Sequence, residues 1–140
     1  MPASIMLIDD DADDRELFEE ALQRVGPHIR FDSASGGQMA FEMLESKKQE
    51  LPNIIFLDIN MPVIDGWQCL SILKNNEALK HIPVIIYSTS APDGVQETAM
   101  RLGALSYVIK PNQFTELKNM LARVVALIDQ QSILSFSAKE

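Results

Sequence analysis

Two hydrophobic patterns alternate along the chain. Short unbroken apolar runs, Ile5-Met6-Leu7-Ile8 and Ile54-Ile55-Phe56-Leu57, are bounded by turn residues and stop at carboxylates, Asp9 and Asp58. Runs this short, rich in β-branched residues, predict strands buried on both faces of a parallel sheet. Pro83-Val84-Ile85-Ile86-Tyr87 and Leu105 to Ile109 predict a fourth and a fifth strand, ending at Ser88-Thr89-Ser90 and at Lys110-Pro111. Ile29 and Phe31 alternate with Arg30 and Asp32, which predicts an edge strand with one wet side.

Between the runs the spacing turns helical. Leu17, Phe18, Ala21, Leu22 and Val25 share one helix face, and Gly26-Pro27 stops it. Ser35 is expected to cap a helix reaching about Lys47, with Ala40, Met43 and Leu44 inward. Trp67, Leu70 and Leu73 mark a third helix fading at Asn75-Asn76. A fourth runs from about Gly94 through Val95, Ala99 and Leu102 to Gly103. Asn112 is expected to cap the last, which carries Phe114, Leu117, Leu121, Val124, Val125 and Ile128. Five β-α alternations predict an α/β fold, a doubly wound five-stranded parallel sheet with helices on both faces. The expected organisation is one domain over 1–130 and a tail over 131–140, in which Ile133, Leu134 and Phe136 are able to dock although fraying is the default.

Composition narrows the chemistry. A net charge of −8 argues against binding nucleic acid through a basic face and suits a cytoplasmic chain that meets metals or cationic sites. Residues 9–20 hold eight carboxylates and a single Arg. Cys69 is the only cysteine, which excludes an intrachain disulfide and a thiolate metal centre. His28 and His81 lack ligand spacing and read as surface or turn residues. No apolar run approaches the ~18 residues of a membrane span, and Met1–Ile8 has no basic leader region.

In a doubly wound sheet the strands' carboxyl ends share one edge, where ligands bind. That edge would collect Asp9 and Asp10, Asp58, Ser88 and Lys110. Three converging carboxylates would repel one another and raise their pKa values, and a hard divalent cation would relieve that repulsion. An all-oxygen donor set suits Mg²⁺ rather than zinc. A hydroxyl and an ammonium opposite leave a pocket suited to a phosphoryl group, and a carboxylate there can serve as the nucleophile.

From Ile5 to Ile128 the chain resembles the receiver domain of two-component response regulators, on the acidic pair, Asp58-x-Asn60-Met61-Pro62, Ser88 and Lys110-Pro111, each closing a strand. The resemblance implies the flavodoxin-like strand order 2-1-3-4-5. It makes Asp58 the phosphoacceptor and Asp9 and Asp10 the Mg²⁺-holding pair, one through water, with the Asn60 carbonyl as a further ligand. Ser88 becomes the hydroxyl of the site, Lys110 the phosphate-pairing lysine and Tyr107 the aromatic switch. By the same analogy the Lys110-Pro111 bond is expected to be cis. The implied partners are a histidine kinase or phosphotransfer protein and a downstream protein. The implied chemistry is self-catalysed phosphoryl acceptance and loss rather than enzymatic turnover.

Ser88 and Thr89 depart from the commoner Thr and Ala or Gly, and the bulk of Thr89 is expected to narrow access. The length of residues 26–52 predicts an extended loop around Ser46–Leu51. That length and the Asp-rich start are similar to stand-alone receivers associated with phytochrome-type kinases. Two other readings are a Mg²⁺-dependent aspartate-nucleophile phosphatase and a receiver used only as an interaction module. The first needs a general acid where Asn60 stands; intact Asp58, Lys110 and acidic pair argue against the second.

Overall fold

The computed structural model describes residues 2–47 and 49–138. Five strands, β1 (Ser4–Ile8), β2 (Arg30–Ala34), β3 (Ile54–Leu57), β4 (Val84–Ser88) and β5 (Ser106–Ile109), form one sheet in the order β2-β1-β3-β4-β5. Every pairing is parallel. The helices α1 (Ala12–Val25), α2 (Gly37–Ser46), α3 (Gly66–Lys74), α4 (Val95–Arg101) and α5 (Phe114–Asp129) connect the strands and cover both faces.

Alternation along each strand sorts the core into two layers. Ile5 and Leu7, with Ile54 and Phe56, pack against Phe18 and Leu22 of α1 and Leu121 and Val124 of α5. Met6 and Ile8, with Ile55 and Leu57, face Ala40 and Leu44 of α2, Leu70 and Leu73 of α3, and Ala99 of α4. Because β1, β3 and β4 bury both sides, their sequences show no polar alternation. The edge strand β2 differs. Its Arg30 and Asp32 pair with each other, with Glu50 and with Lys47, which keeps charge on an edge that would otherwise invite another strand.

Element ends depart from expectation in three places. Gly36, not Ser35, occupies the N-cap of α2, and the Ser35 hydroxyl turns to the Met39 sulfur at 3.6 Å. Gly37 explains this entry, because a Cβ there would lie 2.5 Å from Cys69 Sγ, so the first turn of α2 is seated directly on α3. The cap of α5 is Gln113 rather than Asn112, one residue on. Among the described residues no peptide bond is cis, so Lys110-Pro111 is trans, the intrinsically favoured isomer, with Lys110 N–H donating to Ser88 O at 2.7 Å.

The expected loop near Ser46–Leu51 follows α2 and leads to β3; Lys48 lies outside the described residues. Beyond α5 a 3₁₀ turn (Ile133–Ser135) carries Phe136 back onto the α1/α5 layer, where it is buried. Ile133 packs beside it and Leu134 points to solvent. Lys139 and Glu140 of the expected tail lie outside the described residues.

Candidate functional site

The backbone ladder positions the site. Asp9 N–H donates to Ala34 O and Asp58 N–H to Ile8 O, both at 3.0 Å, so each carboxylate sits one residue beyond its strand yet remains hydrogen-bonded to the sheet. Lys110 is held similarly on Ser88 O. Asp9, Asp58 and Ser88 are all buried, whereas Asp10 is exposed.

One oxygen of each buried carboxylate is engaged by the following loop. Asp58 Oδ1 accepts from Asn60 N–H and Asp9 Oδ1 from Asp11 N–H, each at 3.0 Å. The other oxygens turn toward Lys110. Its Nζ lies 2.7 Å from Asp9 Oδ2 and 3.4 Å from Asp58 Oδ2. The Asp9 contact is an ion pair only, since Oδ2 receives no directed hydrogen bond although it is fully enclosed. Ligand oxygens of Asp9, Asp10 and Asp58 lie within 4.8 Å of one another. An enclosed, under-satisfied oxygen in an all-carboxylate cluster fits a hard divalent cation, which needs such donors at close quarters.

Burial, more than repulsion, sets the titration of Asp9. Desolvation pushes its carboxyl up to about 6 against the pull of Lys110 and the Asp11 N–H, and Asp58 adds the smallest contribution. The mutual repulsion expected from the sequence is therefore secondary. Burial works against the Lys110 ammonium too, but its hydrogen bond to Asp14 and its ion pair with Asp9 overcome it and raise its pKa. Beneath the ammonium lies the Tyr87 ring, 5.6 Å from Nζ to centroid. That ring stands edge-on to Phe18 and Phe56 in the core. The phosphate-pairing candidate is thus seated on the packed aromatic centre of the domain.

Asp14 is the residue that pattern reading missed. Its place in the first turn of α1 suggests only a solvated or capping carboxylate, yet its Oδ2 accepts from Lys110 Nζ at 2.7 Å across a separation of 96 residues. Asp11 does cap, accepting from Asp14 N–H at 3.1 Å. Gly66 is a second omission. A Cβ there would lie 2.3 Å from Ile59 Cα and 2.4 Å from Asp58 O, so α3 begins directly against the backbone that carries Asp58. Asp65 and Gln68 form a capping box at that same helix start, a signal present in the Asp-x-x-Gln spacing.

On the far side of Asp58, the Asn60 amide donates to Ser88 Oγ at 3.3 Å. Thr89 is exposed beyond Ser88. Tyr107 is buried in the α2–α4 layer, with its hydroxyl donating to Ser90 O. The residue at the aromatic switch position is therefore turned inward, its one polar atom satisfied. Cys69 is buried, and desolvation followed by Asp65 pushes its thiol up to about 11, the opposite of an activated nucleophile.

A family model described as the response regulator receiver domain matches residues 5–122. "Protein PilG" of Pseudomonas aeruginosa is 37% identical over 115 residues, covering 81% of this chain and 80% of that protein. "Probable methanogenesis regulatory protein FilR2" of Methanothrix harundinacea is 32% identical over 126 residues, covering 88% and 81%. Among solved structures, the phosphorylated cyanobacterial phytochrome response regulator RcpA is similar at 25% identity and a TM-score of 0.80, covering 91% of this chain and 94% of that one. The Mn²⁺-bound form of the response regulator Rcp1 is similar at 27% identity and a TM-score of 0.77, with the same coverage. With the acidic cluster, the strand-end Asp58 and the Lys110 contact already in place, this match over most of its length shows that the chain belongs to the response regulator receiver domain family of two-component signalling.

Proposed function

We propose that Asp58 is the phosphoacceptor of a two-component relay and that Lys110, Ser88 and the acidic pair serve its phosphorylation. The observation carrying this reading is the Asp58 carboxylate itself. It is buried at a strand end, fixed on one side by Asn60 N–H and faced on the other by the Lys110 ammonium. An oxygen of Asp58 attacks the phosphorus of a phosphohistidine on a kinase or phosphotransfer protein. The O–P bond forms and the P–N bond breaks; the electron pair returns to the imidazole nitrogen, which then takes up a proton. The product is an acyl phosphate.

Asp10, Asp58 and the Asn60 carbonyl would hold Mg²⁺, with Asp9 reaching it through water. When bound, the cation supplies charge neutralisation at the transferring oxygens. Lys110 pairs with the incoming phosphoryl oxygens, and Ser88, released from the Asn60 amide, donates its hydroxyl to them. Because Tyr107 is already inward, the conformational response in this reading starts at Ser88 and passes to the β4–α4 loop that carries Ser90. The readout face is then α4, β5 and α5, used by a downstream protein. Asn60 offers an amide where a phosphatase of this general type needs an acid, so turnover of external phosphomonoesters is not part of the proposal. The cytoplasm is the proposed location, and the likeness to RcpA supports a phytochrome-class kinase as the donor.

Incubation with acetyl phosphate or a candidate kinase and Mg²⁺, followed by mass spectrometry, tests the assignment. One base-labile phosphoryl group is expected on Asp58 and none on Asp58→Asn. Equal modification of that variant would overturn the reading.

A further inference from the structure

Lys110 is closer to a residue outside the acidic cluster than to Asp58. Its Nζ makes a directed 2.7 Å hydrogen bond to Asp14 Oδ2, while Asp58 Oδ2 is 3.4 Å away. Asp14 stands in the first turn of α1, and its side chain is about one-third exposed (32%), against 10% for Lys110. The three carboxylates facing the ammonium are therefore unequal. Asp9 and Asp58 belong to the metal-binding cluster, where a cation would neutralise them, and Asp14 does not. Once that cluster holds a cation, Asp14 is, among the described residues, the one unneutralised anion still in direct contact with Lys110. A charge-assisted hydrogen bond of this length is among the stronger polar contacts a protein makes. The ammonium has three N–H donors but one charge and one position, and while it keeps the 2.7 Å bond to Asp14 it stands 3.4 Å from Asp58 Oδ2, so closer engagement of phosphoryl oxygens at Asp58 draws on the same charge.

We propose that Asp14 is a positioning residue that holds Lys110 back from Asp58 and competes with the phosphoryl group for its ammonium. This rests on the assignment of Asp58 as phosphoacceptor. The Asp14 contact stabilises the unphosphorylated state and sets how far phosphorylation shifts the population, since a ligand biases two states only by its differential interaction with them. It ties the switch to α1 through a bond unrelated to Ser88 or Tyr107. The Asp11 cap, which fixes the backbone of Asp14, helps aim it.

The test uses beryllofluoride, a phosphoryl mimic, with saturating Mg²⁺, on the full chain and its Asp14→Asn, Asp13→Asn, Lys110→Ala and Asp14→Asn/Lys110→Ala variants. Asp13 is exposed in the same helical turn and controls for loss of one negative charge at the start of α1. Asp14→Asn should bind the mimic about three- to tenfold more tightly, a range reduced from that of a fully buried charged bond because Asp14 is partly exposed. Asp13→Asn should change affinity less than twofold, and the gain from Asp14→Asn should vanish when Lys110 is Ala. In the metal-free protein, the Lys110 side-chain ammonium resonance should shift in Asp14→Asn and not in Asp13→Asn. Unchanged or weaker binding by Asp14→Asn overturns the proposal, as does a gain of equal size in the Lys110→Ala background. If the parent binds the mimic and is phosphorylated on Asp58 but Asp14→Asn behaves like the parent, only this inference fails. If the parent does neither, the phosphoacceptor assignment fails and this inference with it.

Discussion

Gly66 and Asp58 are in backbone contact: a Cβ at Gly66 would lie 2.4 Å from the Asp58 carbonyl oxygen, and Gly66 N–H donates to Ile59 O at 3.1 Å. The obstructing atoms are main chain, so no side-chain rotation can make room. Replacing Gly66 with Ala should cost about 1–3 kcal/mol in urea unfolding, the scale of overpacking strain. It should also slow acetyl phosphate labelling of Asp58 by displacing the loop. Unchanged stability together with an unchanged labelling rate would show that the contact is easily relaxed.

Metal binding should depend on Asp10. It is the exposed member of the acidic cluster and, unlike Asp9 and Asp58, lies outside the Lys110 ion-pair set. Asp10→Asn is expected to weaken Mg²⁺ binding about tenfold or more, since even outer-shell partners of a metal site act on that scale. Titration followed by Trp67 fluorescence gives the affinity. Parent-like binding would exclude Asp10 as a ligand.

Alkaline stability should carry a contribution from Cys69. The folded chain keeps the thiol proton up to about pH 11, whereas the ordinary thiol value is 9.0. Between those values the folded form binds more protons than the unfolded one, so this contribution is intact below pH 9 and is lost as pH rises toward 11. Cys69→Ala removes it at the cost of a small cavity. The stability gap between parent and variant, measured by urea unfolding at a series of pH values, should narrow between pH 9 and 11, by at most about 1.4 kcal/mol per pH unit. A constant gap would exclude the buried thiol as the cause.

The C-terminal segment should contribute to the stability of the domain. Phe136 is buried against the α1/α5 layer, lies under the Arg123 guanidinium at 5.2 Å, and is followed by Ser137, whose carbonyl accepts from Arg123 at 3.0 Å. Phe136→Ala is expected to lower unfolding free energy by about 2–4 kcal/mol, near the lower part of the range for buried aromatics because the segment can detach. Leu134→Ala, at an exposed position, should stay within about 0.5 kcal/mol. Equal effects of the two substitutions would contradict the docked arrangement.

The sequence by itself determined the elements and the edge on which the chemistry gathers. Ile5–Ile8 and Ile54–Leu57 are apolar throughout because both faces of their strands are covered, and an unbroken run can be read from neighbours alone. Asp9, Asp58 and Lys110 each follow a strand and Ser88 ends one, so parallel topology places them together without further information. The order of the strands came from resemblance to a family, because periodicity is blind to which strand pairs with which. Tertiary packing alone decided the rest. Asp14 meets Lys110 only because the start of α1 and the residue after β5 lie at the same carboxyl edge of the parallel sheet, a relation between residues 96 apart that no local spacing encodes. Gly36 replaced Ser35 at the α2 cap because Gly37 must rest on Cys69, a contact made by another helix. Phe136 docks while Leu134 does not, and Tyr107 turns inward to the Ser90 carbonyl, because each found space and a partner that only the assembled layers provide. Local pattern fixes which face of an element is apolar; which residue meets which across the fold depends on how the finished layers pack.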